Sequence, residues 1–265
     1  MKKTKKKIYW STIGKGEIHI ILLHGWGLSC EIWRKIVPLL KEHFTLHLID
    51  LPGFGKSINC PIMNFKKLSL FLLKNIKYKV IWLGWSIGGL FAHYLSFKYP
   101  EHTIAVIYIT SSPCFIKKKN WPGVTIKILK EIKKNMLSNY KKFIIEFIKL
   151  HAIIDKKKKH FYSQKNYSIA KKYPNPNKKA IEIGYKWLIQ IDQRKKKLKK
   201  NIPTLRIYGE FDNLVSFDTC KAIEKLWKKN NFFIIPGARH APFLSHPDVL
   251  CYMIKKFIKK IFPNS

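Results

Sequence analysis

A five-residue segment of this 265-residue chain, Gly84-Trp85-Ser86-Ile87-Gly88, has residue types that could do covalent chemistry. A serine with a glycine two positions away on either side fits the sharp turn that exposes a nucleophilic hydroxyl between a strand and a helix. Such a turn strains the serine backbone and leaves no room for a side chain two positions before or after the serine, so glycine is required at both positions. An ordinary glycine-rich turn has the same pattern. The apolar run before Ser86 and the amphipathic run after it favour a nucleophile.

The acid that such a serine needs should follow it in the chain, and carboxylates are scarce there. Asp212 comes just after an apolar run, Thr204–Gly209, that predicts a strand. It would therefore lie at the carboxyl end of that strand, where an acid-bearing loop belongs. Glu210 and Asp218 are the alternatives.

The general base should come last in the chain, after the acid. His240 ends the loop that follows a second short apolar run, Phe232–Ile235, so it should lie at the carboxyl edge of the sheet, beside Ser86. His246 is the alternative, although Ser245-His246-Pro247 is typical of a helix start.

A serine that attacks a carbonyl also needs donors for the oxyanion that forms. His24-Gly25-Trp26-Gly27 follows the apolar run Ile18–Leu23, where a loop can point a backbone N–H at the nucleophile. The N–H of Ile87 would be the second donor. For His24 itself we expect an orienting role through hydrogen bonds rather than chemistry.

The elements that must position these residues alternate along the chain. Helical patterns separate the strand-like runs, which predicts an α/β fold with a mostly parallel sheet and helices on both faces. Ile8–Ile13 would add a hairpin partner at the edge. The predicted strands are Ile18–Leu23, Phe44–Asp50, Val80–Gly84, Ile104–Thr110, Thr204–Gly209 and Phe232–Ile235. The predicted helices are Glu31–Lys41, Phe65–Lys77, Ser86–Lys98, Ser216–Lys228 and Val249–Ile261.

The alternation stops between about Phe115 and Ile191, where the apolar spacing is helical throughout. Asn175-Pro176 is typical of a helix start, as an N-cap followed by an N1 proline. We predict a helical lid over residues 115–191, inserted between two parts of one core, residues 1–114 and 192–265. One helical stripe of the lid consists of Tyr140, Phe143, Ile144, Phe147, Ile148 and His151.

The charge of the chain is extreme, with 52 Lys+Arg against 15 Asp+Glu and a net charge of +37. Only four of the positive residues are arginine, whereas proteins that read nucleic acid rely on arginine for its bidentate hydrogen bonds. We therefore expect no nucleic-acid partner and attribute the lysine excess to an AT-rich coding bias. A non-catalytic polyanion-binding protein is the alternative that the charge suggests.

Other compositional features predict a cytoplasmic enzyme without a cofactor. Five widely spaced cysteines contain no Cys-x-x-Cys pair, which argues against both a disulfide framework and a zinc site. No run is apolar and long enough for a membrane span or a signal peptide. Nucleotide-binding glycine motifs and the His-Glu-x-x-His zinc motif are absent. His43 directly precedes the predicted strand Phe44–Asp50 and His47 lies within it, so the two are too far apart to share a metal ion.

The motifs collected so far resemble the α/β-hydrolase superfamily. More narrowly, the chain resembles the BioH-type family of pimeloyl-[acyl-carrier protein] methyl ester esterases of biotin biosynthesis. Leu-Pro-Gly-Phe-Gly and Gly-x-Ser-x-Gly are common to the superfamily, whereas Gly-Trp-Ser, Ser-Ser-Pro-Cys-Phe and His-Ala-Pro-Phe are more specific. The matching segments include 22–28, 44–55, 81–86, 111–115, 121–123 and 240–243.

The resemblance implies a serine carboxylesterase that releases methanol from the methyl ester of pimeloyl-acyl-carrier protein, acting as a monomer away from membranes. Ser86, Asp212 and His240 would be the catalytic triad. The implied substrate-binding residues are Trp26, Ser86, Ile87, Phe147, Ile148, Lys149, Leu150, His151 and His240. Phe115, Phe147 and Leu150 would line an acyl channel or form the core of the lid.

The lid departs from the family pattern at two positions. The family has glutamine where this chain has His151, and one of its basic positions for the carrier protein aligns with the acidic Glu146. Two other basic positions align with Lys142 and Lys159. A general short-chain carboxylesterase, thioesterase or peptide hydrolase would use the same triad and remains an alternative.

Overall fold

A computed structural model describes residues 7–152, 174–227 and 231–263. In this part of the chain seven strands form one sheet in the order β1-β3-β2-β4-β5-β6-β7. The strands are β1 (Trp10–Ile13), β2 (His19–Leu23), β3 (Thr45–Ile49), β4 (Val80–Trp85), β5 (Thr103–Ile109), β6 (Thr204–Gly209) and β7 (Asn231–Ile235). Every neighbouring pair is parallel except β1 and β3, which confirms the predicted mostly parallel α/β sheet.

Helices cover both faces of this sheet. Along β2, Ile20 and Leu22 pack into one apolar cluster while Ile21 and Leu23 pack into another, because alternate side chains of a strand point to opposite faces. The helices are α1 (Val37–Leu40), α2 (Phe65–Lys74), α3 (Ile87–Lys98), α4 (Ile126–Ser138), α5 (Tyr140–Ala152), α6 (Lys178–Gln190), α7 (Phe217–Leu226), α8 (Pro242–Ser245) and α9 (Pro247–Ile261). None of the described helices combines the length and the apolar character that a membrane span needs.

The burial of the interior strands explains why apolar runs in the sequence predict them. All six residues of β4 are buried, and so are all five of β3. A parallel strand covered on both faces appears in the sequence as a continuous apolar run, which is the pattern that predicted these strands.

The first strand and the first helix differ from their predictions. The first strand, β1, does not form a hairpin with β2; it pairs antiparallel with β3, Trp10 opposite Ile49. It cannot pair with β2, because β3 and β4 occupy both edges of that strand. The single helix predicted over Glu31–Lys41 is instead a 3₁₀ turn, Cys30–Lys35, followed by α1. Pro38 explains the break, since it has no N–H to donate to the carbonyl of Arg34.

The segment between β5 and β6 is a helical insertion, but it is not helical throughout. Its first part is extended, with isolated bridges that pair Ile116 with Val124 and Lys118 with Trp121. The start of α6 was also wrongly predicted: the N-cap is Asn177, whose side chain accepts from the N–H of Lys179, and not Asn175. The division of the chain into lid and two core parts stays a prediction.

The two ends of the insertion lie side by side. Cys114 forms an antiparallel bridge with Asp192, and the N–H of Gln193 donates to the carbonyl of Pro113 over 2.8 Å. The insertion therefore leaves and re-enters the core at one place.

The predicted stripe of the lid lies on α5. Tyr140, Ile144, Ile148 and His151 are buried, and the Tyr140 hydroxyl donates to the carbonyl of Gly27 over 2.7 Å. This contact joins α5 to the loop after β2.

A buried histidine joins the edge strand β1 to the rest of the sheet. The Trp10 indole N–H donates to Nδ1 of His47 over 3.1 Å, so Nδ1 is an acceptor and the proton of the neutral ring is on Nε2. Nε2 lies 2.9 Å from Nδ1 of His19. Burial, and then His19, lower the pKa of His47 to about 4 from its ordinary 6.5. The folded protein therefore holds His47 in its neutral form.

We expect this histidine to make the protein less stable in acid. Between pH 6.5 and 4 the unfolded chain binds a proton at His47 that the folded chain does not, so the free energy of unfolding should fall as the pH falls. The contribution of His47 between pH 7 and 4.5 should be about 2–3 kcal/mol. Urea unfolding of the wild type and His47→Gln at both pH values measures it.

The glutamine variant should lose less stability than the wild type over this range, because its side chain does not titrate. His93, whose pKa burial lowers to about 3, titrates in both proteins and cancels in the difference. Equal losses in the two proteins would contradict the assignment.

Candidate active site

Ser86 lies in the turn between β4 and α3, in the conformation that the glycine spacing predicts. Its φ of 53° is in the left-handed region, which a residue with a side chain rarely adopts. The turn is held by the Ser86 N–H, which donates to the carbonyl of Ile109 over 3.0 Å. A Cβ at Gly84 would meet the backbone of Gly88, and one at Gly88 would meet the carbonyl of Leu23. Both glycines are therefore required by close backbone contact.

Asp212 and His240 form a buried hydrogen-bonded pair. Oδ2 of Asp212 lies 2.8 Å from Nδ1 of His240, and both side chains are almost completely buried. The other carboxylate oxygen, Oδ1, accepts from the N–H groups of Leu214 and Val215 over 2.8 and 3.0 Å. These bonds fix the carboxylate and leave Nε2 of His240 as the ring nitrogen available for other chemistry.

The backbone of His240 is held by side chains outside the proposed triad. The Trp85 indole N–H and the Thr110 hydroxyl both donate to its carbonyl, each over 2.8 Å. The Ser111 hydroxyl donates to the carbonyl of Ser86 over 2.7 Å. A positive φ at Thr110, 41°, accompanies this arrangement. Nothing in the spacing of Thr110 and Ser111 indicates such a role, because the bonds join segments far apart in sequence.

The two predicted oxyanion donors are available. Within the described residues, the backbone N–H groups of Trp26 and Ile87 make no hydrogen bond to the protein, as expected for a loop and for the first residue of a helix. The His24 ring instead serves the loop: Nδ1 bonds to the carbonyl of Gly25 and Nε2 accepts from the N–H of Leu51. Both ring nitrogens are thus occupied, in agreement with an orienting role.

The alternative residues lie elsewhere. Glu210 is exposed and accepts from the N–H of Gly237, and Asp218 is exposed in the first turn of α7. His246 precedes α9, where its Nδ1 contacts the hydroxyl of Ser245. The structure brings none of the three into contact with His240.

An apolar cavity of about 300 Å³ opens above Ser86 and His240. Trp26, Phe115, Phe147, Leu150 and His151 line it. Phe115, Phe147 and Leu150 are the three residues that the acyl-channel hypothesis names. The structure does not place Ile148 and Lys149 on the cavity wall: Ile148 points into the core and Lys149 is exposed, because α5 turns by about 100° per residue. The side chain of Ile87 is also buried in the core, so only its backbone can contribute.

His151 brings a second imidazole near His240, with 6.1 Å between the ring centroids. Burial, and then the charges of His240 and Arg239, hold the pKa of His151 well below its ordinary value. The ring is therefore neutral at neutral pH.

The Ser86 hydroxyl makes no hydrogen bond to His240 among the described residues, although both side chains line the cavity. In enzymes of this kind the hydrogen bond between nucleophile and base often forms only with substrate in place. The arrangement can nevertheless supply a nucleophile, a base with its acid, and two oxyanion donors around one apolar cavity.

Comparison with known proteins agrees with this geometry. The alpha/beta hydrolase fold family matches residues 18–247. The chain is 40% identical to the pimeloyl-[acyl-carrier protein] methyl ester esterase of Wigglesworthia glossinidia brevipalpis, covering 96% of this chain and 99% of the relative. It is 36% identical to the protein of the same name from Salmonella newport (strain SL254), covering 92% and 95%.

A solved structure shows the same fold. The bromoperoxidase of Bacillus anthracis superposes with a TM-score of 0.81 at 25% identity, covering 95% of each chain. The sheet, the helical insertion and the 40% identity over nearly the full length of the chain agree. This chain belongs to the alpha/beta hydrolase family and, within it, to the pimeloyl-[acyl-carrier protein] methyl ester esterases.

Proposed function

We propose that this chain hydrolyses the methyl ester of pimeloyl-acyl-carrier protein, giving pimeloyl-acyl-carrier protein and methanol in biotin biosynthesis. The identity of 40% over nearly the full length of the Wigglesworthia esterase carries this proposal. The buried Asp212–His240 pair next to the strained Ser86 turn supports an ester hydrolase mechanism.

The first half of the reaction forms an acyl-enzyme. Ser86 attacks the ester carbonyl while Nε2 of His240 takes the hydroxyl proton, and Asp212 stabilises the imidazolium that forms. The carbonyl oxygen becomes an oxyanion, which the N–H groups of Trp26 and Ile87 bind. His240 then returns its proton to the methoxy oxygen, so methanol leaves.

The second half repeats these steps with water. His240 removes a proton from a water molecule, the hydroxide attacks the acyl-enzyme, and Ser86 leaves with the proton from His240. The products are a carboxylate and the free enzyme.

The cavity suits the methyl ester end of the substrate. Its wall is mostly apolar, so a methylene chain with a neutral ester end can enter without the desolvation penalty of a free carboxylate. The carrier protein, attached at the other end of the chain, would then remain outside at the lid.

The lid carries the charge that an acidic carrier protein would meet. Lys142 is exposed on α5, where its Nζ lies 4.0 Å from Glu146, so the acidic departure from the family pattern is partly offset by its neighbour. Lys159, the other predicted contact, lies outside the described residues. We further propose that the reaction takes place in the cytoplasm, since the five cysteines, which all lie in the described part of the chain, form no disulfide.

Removing the proposed nucleophile should abolish hydrolysis and leave the fold intact. Ser86→Ala should lower kcat by at least about 10³-fold, as in other serine hydrolases. Thermal melting should be unchanged or slightly raised, because alanine loses only a hydroxyl that faces the cavity. Retention of more than a few per cent of the activity would contradict the assignment. Covalent labelling of the wild type, and not of the variant, by a fluorophosphonate gives a second readout and argues against a polyanion-binding protein.

The acid can be assigned with matched amide variants. Asp212→Asn should lower kcat by up to about 10⁴-fold, because the amide favours the wrong tautomer of His240. Asp218→Asn and Glu210→Gln make equivalent changes at the two exposed carboxylates and should have small effects. Steady-state rates on a nitrophenyl ester measure all three. A larger loss at either exposed site would reassign the acid.

Charge reversal on α5 tests the carrier protein as partner. Complementary charge accelerates encounter by roughly 10–10³-fold and in a salt-dependent way. Lys141→Glu/Lys142→Glu should therefore lower kcat/KM for the carrier-linked ester about tenfold at low salt, weaken its salt dependence, and change a nitrophenyl ester less than about twofold. The same reversal on α2, Lys66→Glu/Lys67→Glu, is the control for net charge.

Equal losses on both substrates would indicate a damaged lid, and no loss would exclude α5 as the docking site. A general carboxylesterase or thioesterase would instead hydrolyse nitrophenyl esters or acyl thioesters at least as well as the carrier-linked methyl ester. A substrate panel with the wild type distinguishes these functions.

A further inference from the structure

Arg239 is one of the residues that line the apolar cavity, and its charge acts on His151, which lines the cavity beside it. The chain has 48 lysines and four arginines, yet the described residues that line the cavity include no lysine and one arginine. Arg239 directly precedes His240, so its backbone position is fixed by the same loop that fixes the proposed base. A guanidinium stays charged at any pH at which the protein is folded.

The guanidinium of Arg239 has no counter-ion in the described part of the chain. It makes no ion pair with Glu146, the carboxylate that also lines the cavity, nor with any other described carboxylate. The Glu146 side chain is 62% exposed and has Lys142 at 4.0 Å, so it lies at the solvent rim with its charge partly offset. Asp212 is completely buried and already bonded to His240.

The neighbouring His151 ring is neutral, so it adds no second positive charge that could bind an anion. Its Nδ1 is buried and has no hydrogen-bond partner among the described residues, an arrangement that costs free energy until a partner is supplied. The cavity wall beside His240 thus contains a charge and a polar atom that no described residue pairs.

Hydrolysis of an ester creates an anion at this place. The substrate that enters is neutral at its ester end, whereas the product carries a new carboxylate beside Ser86. We propose that Arg239 forms a carboxylate-binding subsite of the cavity, which binds the acid product of ester hydrolysis; this rests on the ester hydrolase function proposed above. The subsite makes the enzyme sensitive to its product and to short carboxylates in general.

Inhibition by two compounds of the same shape tests the subsite. Hexanoate and hexanamide differ in charge but scarcely in size, and each can compete with 4-nitrophenyl butyrate for the cavity. For the wild type we expect the inhibition constant of hexanoate to be about tenfold lower than that of hexanamide, the ratio expected for one charge-assisted hydrogen-bonded pair. Arg239→Gln should raise the hexanoate constant about tenfold and change the hexanamide constant less than twofold.

Two further variants complete the test. Arg239→Lys keeps the charge but loses the bidentate geometry, so its hexanoate constant should lie between those of the wild type and Arg239→Gln. Lys74→Gln, on the exposed end of α2, removes one positive charge away from the cavity and should leave both inhibition constants unchanged.

An unchanged hexanoate constant in Arg239→Gln would overturn the proposal, and so would an equal rise for both compounds, which indicates altered cavity shape. Failure of the proposed function is a separate outcome. If the carrier-linked methyl ester is not hydrolysed while the inhibition pattern holds on the nitrophenyl ester, the subsite stands and the substrate assignment fails.

Discussion

The carbonyl oxygen of His240 is the atom on which the geometry of the site depends. Trp85, the residue before Ser86, and Thr110, the residue after β5, both donate to it from buried positions. These two bonds tie the histidine loop to the ends of two central strands, while Asp212 fixes the histidine ring from the loop after β6. One buried hydrogen bond contributes only about 1 kcal/mol to stability. Its larger effect is on position, since catalytic groups must be held to within about 0.5 Å.

The Trp85 side chain shows how packing supports this constraint. Its ring makes edge contacts with Trp33 and Phe243, and it lies 5.6 Å from the His240 ring. A large rigid side chain with one polar atom can fill the core and still place its N–H at a chosen carbonyl. Replacing it by the smaller phenylalanine would lose the bond and leave part of this space empty.

The sequence predicts the parts of this molecule that depend on local patterns. The interior strands, the Ser86 turn and the order of serine, acid and histidine all follow from apolar runs and glycine spacing. Local patterns do not determine which strand pairs with which, so β1 was expected beside β2 and lies beside β3. The helical spacing of apolar residues continues across Pro38, yet this one residue divides the predicted helix in two. The hydrogen bond from Thr110 to His240 joins distant segments, and one sequence contains no signal for such a contact.

The pairing of Cys114 with Asp192 has a consequence for how proteins of this fold diversify. Because the insertion starts and ends at the same point on the core, its length and content can change without moving β5 or β6. A chimaera that carries the lid of a relative should therefore fold around the same sheet, with its reaction set by the core and its substrate range set by the transplanted helices. Evolution can thus vary recognition as a module while the catalytic scaffold stays constant.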